Sequence, residues 1–116
     1  MSKIISIIAF LSFNTVLQAA TLNPKLHQSE PDGGLISATV EGMSPNLTVK
    51  LYNMIPDRDR KLIGIGKATS QGFLQFPNVF ILNKDAKTLL GRTGHYVTLT
   101  AVDETGRSVT NEIWLN

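Results

Sequence analysis

The chain has 116 residues, of which 42% are hydrophobic and 17% are charged, and it contains no cysteine. This length suits one domain and is too short for a two-domain enzyme, a TIM barrel or a complete dinucleotide-binding fold. The net charge of +2 argues against nucleic-acid binding, which usually concentrates basic residues on one face. The lack of cysteine excludes disulfides, thiolate metal sites and a cysteine nucleophile.

Residues 1–19 have the pattern of a cleavable secretory signal peptide. Lys3 supplies a positive charge, an apolar run extends from Ile4 to Phe13, and the segment ends at the small residues Ala19 and Ala20. A membrane-spanning helix needs about 20 apolar residues, so we expect no stable membrane span after cleavage, which either alanine permits. The pattern predicts a periplasmic or secreted protein, and the missing cysteines favour a bacterial one.

The rest of the chain predicts an all-β fold. Residues 20–33 are expected to form an irregular lead-in with an edge strand near Leu26, because two prolines interrupt them. Residues 34–116 are expected to form one antiparallel β-sandwich domain, because short segments of period two alternate with turn residues. Pro77 is expected to end the fourth of these strands, and residues 83–90 to form one or two helical turns capped by Asn83. The predicted strands cover residues 36–41, 47–52, 62–68, 73–76, 95–102 and 108–115.

Three segments resemble bacterial immunoglobulin-like (Big-type) modules over residues 34–115. Residues 36–53 (ISATVEGMSPNLTVKLYN) are similar to their opening strands, and residues 68–76 (ATSQGFLQF) to a strand, turn and aromatic strand. Residues 94–109 (GHYVTLTAVDETGRSV) resemble the closing hairpin and are the most specific of the three. The resemblance implies a single immunoglobulin-like sandwich with the adhesive or spacer role that such modules have in surface and exported proteins. Two features depart from it: His95 takes the register of an inward aromatic, and the insertion over residues 78–90 is longer and more apolar.

The sequence predicts no catalytic, cofactor or metal site. His95 is the candidate general base of a hydrolase, but no serine stands in a G-x-S-x-G context, so a structural imidazole is expected. Asp57 and Asp59 alternate with arginines, whose charge opposes cation binding. Asp103 and Glu104 lie in a predicted hairpin, where an aspartate accepts backbone N–H bonds as a turn former.

Three aromatic residues fall on the face opposite the inner aliphatic set: Tyr52, Tyr96 and Trp114. On neighbouring strands they would form an exposed aromatic patch, which is typical of a partner-binding surface. Alternatively, Trp114 covers Gly64 or Gly66 across strands. Strand order decides between the two, and the sequence leaves both open.

A second candidate surface is cationic. Arg58, Arg60 and Lys61 lie in the connection before the third predicted strand, and Lys50 and Lys67 lie on the flanking strands. They could form a patch for an anionic surface. Two aspartates in the same connection dilute the charge, which favours a solvated loop of mixed charge.

These features predict an exported, non-catalytic immunoglobulin-like module that recognises a protein or glycan partner, with no cofactor. The expected surface is Tyr52, Tyr96 and Trp114; alternatively, a free sheet edge accepts a strand of the partner. The alternative is a small exported inhibitor or immunity-type protein that blocks an enzyme with the 53–61 loop. A hydrolase built on His95 is the third hypothesis.

Overall fold

The structure is a computed structural model, and it describes residues 19–56, 58–89, 91 and 94–116. The predicted signal peptide, apart from Ala19, therefore lies outside the described residues, as does Asp57. Within these ranges the chain forms seven strands and one short 3-10 turn over Asn83–Asp85. The strands are β1 (Thr21–Glu30), β2 (Gly33–Glu41), β3 (Thr48–Asn53), β4 (Lys61–Lys67), β5 (Leu74–Leu82), β6 (Tyr96–Asp103) and β7 (Ser108–Trp114).

The strands are arranged in two antiparallel sheets. One sheet has the order β1-β2-β5, and the other has the order β4-β3-β6-β7. Because every pairing is antiparallel, the prediction of an all-β antiparallel fold is confirmed. Two sheets sharing one core are compatible with a β-sandwich.

The core is built from alternate residues of the central strands, as the period of two predicts. The apolar inward residues of β2, β3 and β6 are at most 1% exposed, and their neighbours in sequence are half-buried or exposed, except for Ser37 of β2, which is 7% exposed. Such alternation buries one face of each sheet and leaves the other in solvent. These residues are Ile36, Ala38, Val40, Val49, Leu51, Val97, Leu99 and Ala101.

The predicted edge strand near Leu26 is confirmed, but it is longer than expected, and the prediction that residues 20–33 are otherwise irregular is wrong for most of their length. Residues 21–30 form β1, the longest strand, which pairs with β2 at the edge of its sheet. Pro24 is tolerated there because an edge strand has one row of unpaired N–H groups. A register shift between Leu26 and Gln28 marks a bulge at His27.

Pro77 does not end a strand, contrary to the sequence-based expectation. β5 continues from Leu74 through Pro77 to Leu82. The register with β2 shifts between Ile36 and Ala38, so that Pro77 and Asn78 lie opposite the single residue Ser37. A bulge on an edge strand accommodates a proline because no ladder hydrogen bond requires its missing N–H.

The segment predicted as one or two helical turns is shorter than expected. The 3-10 turn covers only Asn83–Asp85, and Leu82, not Asn83, is its N-cap residue. The backbone N–H of Asn83 donates to the Asp32 carbonyl at 2.8 Å. Lys87 then forms an isolated antiparallel bridge with Tyr96, so this segment returns the chain to the other sheet.

Candidate functional site

The candidate site is the outer face of the four-stranded sheet, on the side opposite the core. Tyr52 of β3 lies between Leu62 of β4 and Thr100 of β6 in the register. Lys50 lies beside Ile65 in the same way. Leu62 and Ile65 are 49% and 60% exposed, so large apolar side chains face solvent at this edge.

Tyr96 and Trp114 form a pair at one end of this face. They are directly opposite one another on β6 and β7, and their ring centroids are 5.2 Å apart with planes tilted by 46°. The Lys87 ammonium lies 5.8 Å from the centroid of the Tyr96 ring. Cross-strand aromatic contacts of this kind stabilise the hairpin, so the pair has a structural role whatever else it does.

Tyr52 belongs to a separate cluster at the β3–β4 end of the face. The Arg60 guanidinium lies 4.0 Å from the centroid of the Tyr52 ring, which is a close cation–π contact. Tyr52 pairs with Thr100, four residues along β6 from Tyr96, so the backbone positions of the two tyrosines are roughly 13 Å apart along the strand at about 3.3 Å per residue.

A polar network occupies the space between the two aromatic clusters. The Lys87 ammonium donates to the Thr98 hydroxyl at 3.3 Å, and that hydroxyl donates to Glu112 at 3.4 Å. The hydroxyls of Thr100 and Thr110 are 2.8 Å apart. The outer face therefore carries two separate groups, Tyr52 with Arg60 and Tyr96 with Trp114, and hydrogen-bonding side chains lie between them. The predicted continuous aromatic patch is not formed.

The structure rejects the alternative that Trp114 covers the glycines of β4. Trp114 is on β7, at the far edge of the sheet from β4. A Cβ at Gly64 would lie 2.8 Å from the Phe76 ring, and a Cβ at Gly66 would lie 3.1 Å from the Leu74 side chain. Residues of β5 in the opposite sheet therefore fill the space beside both glycines.

The predicted cationic loop does not present its charges on one surface. Arg60 stacks on Tyr52, while the Lys61 ammonium lies 3.2 Å from the Asp85 carboxylate in the 3-10 turn after β5. Arg58 is exposed, and its backbone N–H donates to the Ile55 carbonyl at 3.3 Å. Arg60 and Lys61 are thus held against different parts of the protein, and the three cations do not form one common surface.

The sequence missed a cleft between the edge strands β4 and β5. It has a volume of about 170 Å³, and Asn53, Lys61 and Asp85 form its polar end. Asn53 is only 1% exposed; its Nδ2 donates to the Asp85 carbonyl at 3.1 Å, and its Oδ1 has no hydrogen-bond partner among the described residues. The sequence does indicate that Asn53 is buried, because Asn53 continues the inward alternation of Val49 and Leu51.

Asp103 has the turn-forming role that the sequence predicts. Its Oδ1 accepts from the backbone N–H groups of Thr105 and Arg107 at 2.9 and 3.1 Å, and its Oδ2 accepts from the Ser44 N–H at 3.0 Å. Burial raises the pKa of the Asp103 carboxyl, but hydrogen bonds from Thr105 and Ser44 outweigh burial and lower its pKa to about 2. Glu104 accepts from the Thr48 N–H at 2.7 Å.

His95 lies just before β6 and is half-buried, outside the fully buried core. Its backbone N–H donates to Asn116 Oδ1 at 2.8 Å, and its Nδ1 is 3.3 Å from the same oxygen. The imidazole therefore does not fill an inward aromatic position as the family register implies. Its contacts tie Asn116 to the start of β6.

Comparisons with protein-family models, with curated proteins and with solved structures find no match. Among the described residues, no helix is long and apolar enough to cross a membrane. In the same ranges, His, Asp and Glu side chains form no group of three or more that could hold a metal ion. The fold and the surfaces themselves are therefore the basis for assigning a function.

Proposed function

We propose that this protein is an exported, non-catalytic immunoglobulin-like module of the Big type that binds a protein partner through the outer face of its four-stranded sheet. The sheet order supports the fold assignment for six of the seven strands, because an immunoglobulin-like sandwich places its third, sixth and seventh strands in one sheet and the first, second and fifth in the other. The fourth strand departs from the constant-type arrangement: β4 pairs with β3, as the additional strand of variable-type domains does. Export rests on the signal-peptide pattern of residues 1–19.

The observation that carries the binding proposal is the cluster of Tyr52, Arg60, Leu62 and Ile65. Tyr and Arg are enriched among the residues that dominate protein interfaces, and here they are already stacked at 4.0 Å. Leu62 and Ile65 beside them are about half or more exposed. Adjacent exposed aliphatic side chains favour a protein partner over a glycan, because burying them yields hydrophobic free energy that a hydroxylated ligand does not provide.

The test is a pull-down from a cell-envelope fraction with three versions of the full chain. One is wild type, one carries Leu62→Ser and Ile65→Ser, and the control carries Phe73→Ala, which also changes an exposed side chain (40%) but lies outside the four-stranded sheet. We expect the double variant to lose at least 90% of the captured partner and the control to retain it. An unchanged partner in the double variant, with its fold verified by circular dichroism, would overturn the proposal.

The same experiment distinguishes the outer-face proposal from the alternative that the protein is an inhibitor acting through the 53–61 loop. Arg58 is the loop cation that is exposed and not engaged by Tyr52 or Asp85. If Arg58→Ala abolishes capture while the double variant on β4 does not, the loop is the binding surface. The outer-face proposal predicts the opposite pattern.

A further inference from the structure

Four strands lie at the edges of the two sheets: β1 and β5 in one sheet, and β4 and β7 in the other. β1 and β7 lie against each other, since the Asn111 side chain of β7 donates to the Leu22 carbonyl of β1 at 2.8 Å. β1 and β5 each contain a proline and a register shift, and both features keep an edge strand from pairing with another chain. β4 has no proline and pairs on one side only, with β3, so it is the edge best suited to accept a further strand.

The outer edge of β4 has no backbone partner. Within the part of the chain that the structure describes, no backbone hydrogen bond joins residues 61–67 to an element other than β3. The register with β3 shifts at Ile63, whereas residues 64–67 pair with residues 48–51 without interruption. A regular row of unpaired N–H and C=O groups is a template for the addition of a strand. Residues 64–67 are therefore the segment where a partner strand would pair.

The cations beside this segment have no ionic partner. Lys67 ends β4, and Lys50 lies next to Ile65 on β3; both lysines are exposed. Neither makes an ion pair with a described residue. The Glu104 carboxylate lies across β3 from this edge, where it accepts from the Thr48 N–H at 2.7 Å. The edge is therefore complementary to a segment that carries negative charge.

These charges also disfavour a second copy of β4 as the added strand. A lysine stands at each end of β4, so a second β4 would bring a cation beside Lys67 whichever way it ran, and like charges on adjacent strands are destabilising. An acidic residue opposite Lys67 would be attracted instead. An apolar residue opposite Ile65 would cover a side chain that is 60% exposed.

We propose that the free edge of β4 accepts an antiparallel strand of the protein partner, in which an acidic residue opposite Lys67 precedes by two positions an apolar residue opposite Ile65. The two side chains lie on the same face, because side chains of a strand alternate, and the antiparallel direction continues the pattern of the sheet. Main-chain hydrogen bonds supply affinity and the alternate side chains supply specificity. The inference rests on the proposed function and specifies how that partner is recognised.

The first experiment measures binding of a capped synthetic peptide, Glu-Thr-Val-Thr-Val-Thr-Glu, to the full chain. Two N-methylated forms of this peptide are matched controls, each methylated on one alternate set of backbone nitrogens. Successive N–H groups of a strand point to opposite sides, so only one set faces β4. We expect one form to bind like the parent peptide and the other to bind at least ten-fold more weakly. Equal binding by both forms, or no saturable binding at millimolar peptide, would refute strand addition.

A charge exchange tests the pairing with Lys67. Lys67→Glu should weaken the acidic peptide at least five-fold, and a peptide with lysine in place of glutamate should bind this variant more tightly than it binds wild type. Lys25→Glu is the control, because it makes the same change at an exposed position of β1, in the other sheet. It should leave both affinities unchanged. If Lys67→Glu does not reverse the preference, the assigned register is wrong.

Amide hydrogen exchange locates the bound strand and separates the remaining outcomes. Peptide should slow exchange within residues 64–67. Protection there that grows with protein concentration alone would make a second copy the occupant and overturn the proposal. If Leu62→Ser with Ile65→Ser loses the partner but the captured complex shows no protection of residues 64–67, strand addition is wrong and the outer-face proposal stands. Peptide protection of these residues with the partner still captured by that double variant would reject the outer-face proposal and leave the strand site intact.

Discussion

At the scale of single residues, Asp103 joins parts of the chain that are far apart in sequence. One carboxylate oxygen holds the turn between β6 and β7 through Thr105 and Arg107, and the other accepts from Ser44 in the loop after β2. Arg107 strengthens the same junction, because its Nε donates to the Gly42 carbonyl at 2.7 Å. Asp103 thereby connects the two sheets at one end of the fold.

This arrangement predicts a specific loss of stability in acid. The pKa of Asp103 is lowered from 3.8 to about 2 in the folded protein, so its stabilisation is fully present above pH 4 and is lost as the pH falls through about 2. The loss is about 2–3 kcal/mol, since one pKa unit corresponds to about 1.4 kcal/mol.

Urea unfolding at pH 6 and pH 2 measures this effect. Asp103→Asn should be less stable than wild type at pH 6, and the difference should shrink at pH 2. The control is Glu41→Gln, which changes an exposed carboxylate and should leave both values within about 0.5 kcal/mol of wild type. A constant difference between wild type and Asp103→Asn at both pH values would contradict the assignment.

At the scale of elements, β4 shows how a weak strand is held in place. Glycine is unfavourable in a strand unless another group approaches closely. The ring of Phe76 occupies that space at Gly64, where a Cβ would lie only 2.8 Å from Cδ1. β4 therefore depends on β5, its neighbour across the core, as much as on its partner β3.

Gly64→Ala should accordingly destabilise the protein by about 1–3 kcal/mol, because the added methyl group overpacks the core against a ring that is 5% exposed. Thermal unfolding followed by circular dichroism measures the loss. Ile65→Thr, a change on the outward face of the same strand, should cost less than about 1 kcal/mol. Addition of Phe76→Leu to Gly64→Ala should recover part of the loss, and no recovery would argue against the contact.

At the scale of the whole molecule, β1 closes the side of the fold opposite the β4–β5 cleft. Its edge lies against β7: the Asn111 side chain donates to the Leu22 carbonyl at 2.8 Å, and the Ser29 hydroxyl donates to the Leu115 carbonyl at 2.6 Å. Leu22 itself is 2% exposed. The segment that the sequence suggested was a loose lead-in is thus part of the core.

The Leu22→Ala variant tests whether residues 21–30 form a core strand or an irregular lead-in. In the observed fold it should cost about 2–5 kcal/mol, because it leaves a cavity in the core, whereas in an irregular lead-in the cost would be near zero. Lys25→Ala, at an exposed position of the same strand, is the control and should change the unfolding free energy by less than about 0.5 kcal/mol. Chemical denaturation of wild type, Leu22→Ala and Lys25→Ala measures the three unfolding free energies.

The sequence by itself determined the features that depend on near neighbours. The alternation in residues 36–40, 49–51 and 97–101 identified the buried positions correctly, because side chains of a strand alternate between faces whatever the strand pairs with. The hairpin turn at Gly106, with φ of +88°, was also predictable, since glycine adopts this conformation without steric cost.

Only the tertiary structure decided which of these elements meet. It paired Tyr96 with Trp114 and left Tyr52 with Arg60, because strand order is not encoded in the local period. It also carried a strand through Pro77, which needed an unpaired edge and a bulge, and it enclosed Asn53 beside Asp85. Each of these outcomes depends on contacts with residues distant in sequence, and the spacing of neighbouring residues predicts which positions are buried but not which residues they meet.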